Sequence, residues 1–352
     1  MGIVANRHDA LMRDHPLMKA CRREAVPFTP VWIMRQAGRY MPEYRAVRER
    51  HGFLEMCRRP DLAAEVTVTA VERLGVDAGI IFADILLPLI PMGADLTYEK
   101  GEGPHIAHPV RSAADVDRLA TDGIADSLGF VGESIKLARA GLGGTPLIGF
   151  AGAPFTLASY LIEGGSARDY RRTKAFMYSE PRAWERLMSK LAEVTADYLA
   201  MQIAAGADVI QLFDSWVGAL SPVDYKLRVL PYSSRAIAAI SGKAPVIHFG
   251  TSTAGILELL RDAGGDVIGL DWRVDLGAAW RRLGDGVSVQ GNLDPVALFA
   301  PLSELRVQVR AILDSAGGRP GHIFNLGHGI LPETPVDNVI AMVDMVHELS
   351  MK

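Results

Sequence analysis

The sequence predicts an α/β protein built as a (β/α)8 barrel, the TIM-barrel architecture, with extra N-terminal helices and long βα loops. Three observations support this: short apolar runs alternate with segments of helical spacing, helix-boundary residues separate them, and the 352 residues show no composition break. Such a barrel needs about 250 residues. We therefore place the surplus mainly in residues 35–60 and 85–110, and treat residues 1–352 as a single domain.

Eight apolar runs are predicted to be strands. They are continuous, rich in β-branched residues and bounded by Gly or Pro, which is typical of buried parallel strands. No internal sequence repeat is evident among them. A two-domain, doubly wound sheet is the alternative, but it should show a composition break. The predicted strands are residues 29–34, 78–82, 146–151, 208–213, 245–249, 266–270, 287–290 and 322–326.

Helices are predicted between these runs. Their starts carry signals such as Ser, Thr or Asp before Pro, and several end at Gly, two signals with known physical causes. The predicted helices are residues 60–74, 180–205, 221–242, 252–263, 294–313 and 334–349.

Composition narrows the class of protein. A hydrophobic content of 49% and a charged content of 22% are those of an ordinary soluble protein. Cys21 and Cys57 form no disulfide framework, so we expect a reducing, cytoplasmic compartment. Residues 1–23 are polar and mixed in charge, which predicts no signal peptide. The apolar run 85–94 is far shorter than the roughly 20 residues that span a membrane, so no membrane partner is expected.

Two arginines directly follow the first predicted strand, Arg35 and Arg39. Arginine stays charged at any relevant pH and presents a fork of donors that fits carboxylate or phosphate. Residues 35–59 carry an excess of four positive charges in a chain whose net charge is −4. This reversal predicts a loop that binds a small polyanion, whereas the charge of the whole chain does not favour nucleic acid.

Polar residues follow nearly every predicted strand, at the end where the functional groups of such barrels lie. The candidates are Arg35, Arg39, Asp84, Tyr160, Asp214, Ser215, His248, Asp271, Asn292, Asp294 and His328.

Several of these candidates have a structural alternative. Asp84 is costly to bury among apolar neighbours, so it either caps a helix or uses its charge. The spacing around Tyr160 favours the core over catalysis. Ser215 lacks nucleophile-elbow glycines and is interpreted as a hydrogen-bond donor. His248 lies within an apolar strand, which favours the core, whereas the glycines around His328 would let its backbone approach a ligand. No spacing suits a metal site.

Six motifs give the sequence a family resemblance. They occur in order along roughly residues 10–350, and the sequence closely resembles the uroporphyrinogen decarboxylase family. The motifs are MRQAGRY (34–40), FADIL (82–86), GFAGAP (149–154), YLIEGG (160–165), FDS (213–215) and NLGHG (325–329).

The resemblance implies a barrel, a homodimer, no cofactor, and a porphyrinogen substrate with eight carboxylates, whose four acetate arms lose carbon dioxide. The site residues are assigned by the same resemblance. Arg35 and Arg39 would hold carboxylates beside the backbone of residues 36–38 (Gln36, Ala37, Gly38), and Asp84 would bind the pyrrole N–H groups. Tyr160, Ser215 and His328 would contact the arms, and Phe150 and Phe213 would form an apolar wall. The catalytic assignments are Asp84, Arg35 and His328, while the proton donor stays open among these three and water.

Two other functions compete with this one. A related corrinoid or zinc methyltransferase needs soft thiolate ligands, typically a His-x-Cys pair and a later Cys. Here residues 248–250 are His-Phe-Gly and no cysteine follows Cys57, which argues against that enzyme. A non-catalytic tetrapyrrole carrier would keep the arginines and could lose Asp84.

Overall fold

Seven parallel strands form the central sheet in a computed structural model that describes residues 12–99 and 103–352. Its strand order is β1-β4-β5-β6-β7-β8-β9, and β2 and β3 form a separate antiparallel hairpin. The strands are β1 (Gly79–Ile80), β2 (Leu96–Glu99), β3 (Gly103–Ile106), β4 (Leu147–Gly152), β5 (Val209–Asp214), β6 (Val246–Gly250), β7 (Val267–Gly269), β8 (Ser288–Gln290) and β9 (His322–Ile323).

The sequence-based strand prediction is confirmed for seven of its eight runs, in the predicted order. The remaining run, residues 29–34 at the start of the series, contains only a single parallel bridge, from Val31 to Phe324. The polar segment for which we expect no signal peptide lies partly outside the described residues, in residues 1–11. Residues 100–102 of the predicted insertion 85–110 also lie outside them.

A short motif, Gly-x-Asp, precedes three strands and was missed as an internal repeat. In each copy the Asp carboxylate accepts the N–H of a residue in the preceding strand or apolar run at 2.7–2.9 Å. The Asp N–H donates back to the carbonyl of that same residue at 2.8 Å. The pairs are Val31 with Asp77, Leu147 with Asp208 and Val246 with Asp266. Val31 therefore contacts the start of β1 just as β4 contacts β5 and β6 contacts β7.

Polar side chains cross the inner face of the sheet. Trp32 Nε1 donates to Gln290 Oε1 at 2.9 Å, and Gln290 Nε2 donates to Gln211 Oε1 at 3.1 Å. Gln211 is on β5 and Gln290 on β8, so in a flat sheet these strands would stand about 14 Å apart. Because their amides meet, the sheet must curl around a concave interior.

Helices cover the outer face of the sheet. They are α1 (Pro16–Cys21), α2 (Pro42–Arg50), α3 (Phe53–Arg58), α4 (Pro60–Leu74), α5 (Ala113–Arg118), α6 (Ile124–Ser127), α7 (Gly129–Leu142), α8 (Pro154–Glu163), α9 (Arg171–Ser179), α10 (Pro181–Ala205), α11 (Pro222–Arg228), α12 (Leu230–Ala238), α13 (Leu257–Ala263), α14 (Leu276–Leu283), α15 (Leu302–Ala316) and α16 (Val336–Ser350). No helix among the described residues is long and apolar enough to span a membrane.

Proline explains where the helix predictions were wrong. The predicted helix 221–242 divides into α11 and α12, because Pro231 has no N–H to continue the first helix. The predicted helix 294–313 divides similarly at Pro301, into a 3-10 turn and α15. The predicted helix 252–263 begins only at Leu257, because Ser252 has a left-handed backbone with φ of 57°, which does not fit a right-handed helix.

Candidate active site

Arg35 lies in a tight turn directly after the first apolar run, and its backbone φ is 64°. Non-glycine residues seldom adopt this conformation, so surrounding contacts must maintain it. The Met34 N–H donates to Asn325 Oδ1 at 3.2 Å, and the Met34 carbonyl accepts from the Ile330 N–H at 3.1 Å. The loop after β9 therefore holds the turn that carries Arg35.

The Arg35 loop offers free donors to a ligand. Arg35 and Arg39 are exposed, and within the described part of the chain their guanidinium groups make no hydrogen bond or ion pair. The N–H groups of Ala37 and Gly38 are likewise unused there. The Gln36 side chain is instead fully buried and donates to the Ala78 carbonyl at 3.2 Å. Its amide therefore fixes the loop and does not face a ligand.

Asp84 follows β1 and is partly buried. Its Oδ1 accepts the Leu86 N–H at 2.7 Å, which makes a local turn, while the 3-10 helix that follows has no side-chain cap. Asp84 thus caps the turn that leads into this helix, and both interpretations of Asp84 stand. Burial raises the pKa of Asp84, whereas the Leu86 N–H, the nearby Tyr98 hydroxyl and the Arg35 charge each act to lower it.

Aromatic rings cover one side of the site. Tyr160 on α8 is partly buried and stacks on Trp216 at a centroid distance of 4.1 Å and an interplanar angle of 32°. Burial and the Asp84 charge raise the pKa of Tyr160, and the Arg35 charge acts to lower it. On the neighbouring strands, Phe150 and Phe213 make an edge contact at 5.6 Å.

Ser215 directly follows β5 and is partly buried. Its carbonyl accepts from the Thr251 hydroxyl, and its own hydroxyl has no hydrogen-bond partner within the described residues. That hydroxyl is therefore free to bind a ligand at the end of the strand.

His328 lies between two close neighbours. A Cβ atom on Gly329 would stand 2.6 Å from Arg35 Cδ, and one on Gly327 would collide with the backbone of Trp272. The glycines thus admit parts of the protein itself, and the approach of the His328 backbone to a ligand stays a prediction. Burial is the largest cause of a lowered pKa of His328, and the Arg35 charge lowers this pKa further.

The other strand-end candidates serve the fold. Asp294 caps the turn that follows it through the Val296 N–H at 2.9 Å, and the Asn292 amide donates to two backbone carbonyls. His248 and Asp214 are fully buried, 3.6 Å apart on neighbouring strands and outside the group around Arg35. No group of three or more potential metal ligands occurs within residues 12–99 and 103–352.

Side chains from separate strand ends thus lie within electrostatic reach of one cation. The Arg35 charge acts on the pKa values of Asp84, Tyr160 and His328, although these residues follow β1, lie on α8 and follow β9. Trp216 stacks on Tyr160 and Tyr98 lies near Asp84, two neighbours that no motif spacing predicts.

The fold and the site define a parallel α/β protein that carries two exposed arginines and several aromatic side chains at its strand ends. A family model described as uroporphyrinogen decarboxylase matches residues 12–349. The chain belongs to the uroporphyrinogen decarboxylase family.

Individual relatives agree with this assignment. The chain is 55% identical over 340 residues to a uroporphyrinogen decarboxylase of Chloroflexus aurantiacus, covering 95% of this chain and 96% of that one. It is 57% identical over 333 residues to a uroporphyrinogen decarboxylase of Solibacter usitatus, covering 94% and 96%. A methyltransferase from Methanosarcina mazei superposes with a TM-score of 0.82 at 21% identity, covering 96% of this chain and 98% of that one, which shows a shared fold.

Proposed function

We propose that this chain is a uroporphyrinogen decarboxylase, a carboxy-lyase that converts the four acetate arms of uroporphyrinogen III to methyls and yields coproporphyrinogen III. The family assignment and the named relatives support this activity. The observation that carries it is the Arg35 side chain, which packs against Gly329 beside His328 and whose charge acts on the pKa values of three candidate site residues. Two exposed arginines, Arg35 and Arg39, together with the partly buried carboxylate of Asp84 suit a cyclic substrate with an anionic edge and N–H groups at its centre.

Arg35, Arg39 and the loop between them bind the carboxylate arms of the substrate. The guanidinium groups of Arg35 and Arg39 bind carboxylates, and the free N–H groups of Ala37 and Gly38 add neutral donors beside them. Gln36 contributes through the geometry of the loop. The guanidinium groups neutralise the carboxylate arms that are not reacting and orient the arm that reacts.

Asp84 stabilises the reacting ring. Protonation of the ring carbon beside an acetate arm makes the pyrrole cationic. The bond to the carboxylate then breaks, its electrons enter the ring, and carbon dioxide leaves. A proton added to the resulting methylene and one lost from the ring carbon complete the methyl group. A fixed carboxylate accepts hydrogen bonds from the pyrrole N–H groups and stabilises the cation that forms.

The remaining site residues shape the pocket. Phe150 and Phe213 form an apolar wall against the macrocycle, while Tyr160 and the Ser215 hydroxyl contact its arms. His328 has a lowered pKa, so it is neutral near pH 7 and acts as a hydrogen-bonding group. Of the candidate proton donors, Arg35, Asp84 and a bound water then fit better than His328.

We also propose that the curled sheet closes into a single-domain (β/α)8 barrel, with residues 29–34 as the first strand. Three contacts support closure. Val31 bridges to Phe324, the Val31 carbonyl accepts from the Asp77 N–H at 2.8 Å, and Trp32 reaches Gln290 across the interior.

We further propose that the protein is a cytoplasmic homodimer. Tyr178, Val223 and Leu227 are exposed apolar residues on neighbouring helices, and Tyr178 bonds to Asp224 of the same helix as the other two. Such a patch suits a self-interface. Both cysteines are buried and unpaired, which suits a reducing compartment. Sedimentation of Leu227→Glu tests the dimer, because a charge in the interface should yield monomers.

Turnover tests the function directly. Anaerobic incubation with uroporphyrinogen III should release carbon dioxide and yield coproporphyrinogen, with Asp84→Asn as the inactive control. Binding without product would instead identify a tetrapyrrole carrier. Stoichiometric zinc in the purified protein, together with absent turnover, would revive the methyltransferase alternative.

A further inference from the structure

A third arginine lies close to His328, on the side away from Arg35. Arg273 stands in the turn that follows β7, directly after Trp272, whose backbone presses against Gly327. Arg35 presses against the glycine on the other side of the same histidine. In the strand order, β7 lies on one side of β9 and Val31 bridges Phe324 on the other, so the two arginines follow strands on opposite sides of the His328 loop.

Three contacts fix the Arg273 side chain. Its Nη1 donates to Asp271 Oδ2 at 2.9 Å, and its guanidinium lies 3.8 Å from the ring centroid of Trp272. Its backbone N–H donates to Asp271 Oδ1 at 3.0 Å. Asp271 is itself only 1% exposed and accepts the Ser252 N–H. A buried carboxylate and an aromatic face thus hold this guanidinium in one orientation.

The held guanidinium still has donors to offer. An arginine carries five N–H donors, and within the described residues Nε and Nη2 of Arg273 donate to nothing. The side chain remains 48% exposed. Its charge also reaches the site, because Arg273, like Arg35, acts to lower the pKa of His328.

We propose that Arg273 is a third carboxylate-binding arginine of the site, which holds an acid arm of the substrate on the flank of His328 away from Arg35. This role rests on the proposed function. Arg35 and Arg39 share one loop and so serve one side of the ring, whereas eight carboxylates surround the whole ring. A rigid guanidinium on the opposite flank provides the missing second anchor.

Two arginines provide a matched comparison. Arg282 on α14 is 43% exposed and pairs with Glu258 at 2.8 Å, much as Arg273 pairs with Asp271, but it has no contact with the site residues. Arg273→Gln should raise the KM for uroporphyrinogen about ten- to hundredfold, the usual effect of losing a charged hydrogen bond, with kcat largely kept. The KM of Arg273→Lys should lie between those of the wild type and Arg273→Gln, since lysine keeps the charge and loses the bidentate fork. Arg282→Gln should match the wild type.

A second measurement does not depend on turnover. In an NMR titration of the free protein, Arg273→Gln should raise the pKa of His328, and Arg282→Gln should not. An unchanged KM in folded Arg273→Gln would overturn the proposal, as would an unchanged His328 titration. If Arg273→Gln fails to fold, Arg273→Lys decides by the same KM comparison. If the wild type shows no turnover, the proposed function fails, and calorimetric binding of uroporphyrinogen to the wild type and the Arg273 variants decides the role of Arg273.

Discussion

At the scale of a single residue, opposing influences act on the pKa of Asp84. Burial raises its pKa, so the folded protein holds that proton more tightly than the unfolded chain does. Between the ordinary value of about 3.9 and the raised value, stability therefore falls as pH rises. The ionised form of this carboxylate is therefore held at a cost in stability, as is common at functional sites.

The variant Asp84→Asn separates the stability cost of the Asp84 charge from the role of that charge in turnover. The amide keeps an acceptor for the Leu86 N–H and removes the buried charge. We expect kcat/KM to fall at least about a hundredfold, because the carboxylate no longer stabilises the cationic ring. The free energy of unfolding at pH 7 should equal or exceed that of the wild type. Denaturant unfolding beside anaerobic turnover measures both, and near-normal turnover would exclude the role of Asp84.

Arg35→Lys tests whether the fork matters as well as the charge. Lysine keeps the positive charge but cannot bind a carboxylate with two parallel hydrogen bonds. We expect the KM for uroporphyrinogen to rise about tenfold. Arg50→Lys, on the exposed end of α2, provides the control, and equal KM values for the two variants would contradict the clamp.

At this scale, the chemistry of single residues supports predictions from the sequence alone. The charge reversal around Arg35 and Arg39 indicated an anion site, and the cost of burying Asp84 indicated a functional carboxylate. The left-handed backbone of Arg35 could not be predicted, because the contact that maintains it joins residues 34 and 325. Arg273 was missed for the same reason, since only the folded chain brings it near His328.

Local signals also decide where elements begin and end. The end of α4 at Gly75 was predicted correctly, because a left-handed glycine, here with φ of 67°, terminates a helix. The start of α13 was not, because Ser252 has a left-handed backbone and its N–H binds Asp271 of another loop. Element boundaries set within a few residues were therefore predictable, and those set by tertiary contacts were not.

The loop after β9 provides a test at the scale of an element. Gly329→Ala places a methyl group 2.6 Å from Arg35 Cδ, so the arginine side chain must shift. We expect the KM to rise several-fold, with only a small change in the free energy of unfolding. Gly286→Ala is the matched control, because its new methyl group meets nothing within 4 Å. Equal KM values for both variants would mean that Arg35 adapts freely.

At the scale of the whole molecule, Val31 contacts both ends of the sheet, at the start of β1 and beside β9. The Gly-x-Asp motifs place Val31 against β1 with the same pair of hydrogen bonds that joins β4 to β5 and β6 to β7. These carboxylates lie at the strand starts, away from Arg35. The arrangement lets closure be tested without disturbing the chemistry of the site.

Asp77→Ala and Asp266→Ala compare the proposed closure point with an ordinary strand pair. Each removes the acceptor of one backbone N–H, and an unsatisfied donor costs about 1–3 kcal/mol. If residues 29–34 complete a barrel, urea unfolding should show that Asp77→Ala costs at least as much as Asp266→Ala. Asp77 also pairs with His347 at 2.8 Å, so His347→Ala isolates that contribution. A much smaller loss for Asp77→Ala, after subtraction of the His347 effect, would mean that the sheet stays open between Val31 and β1.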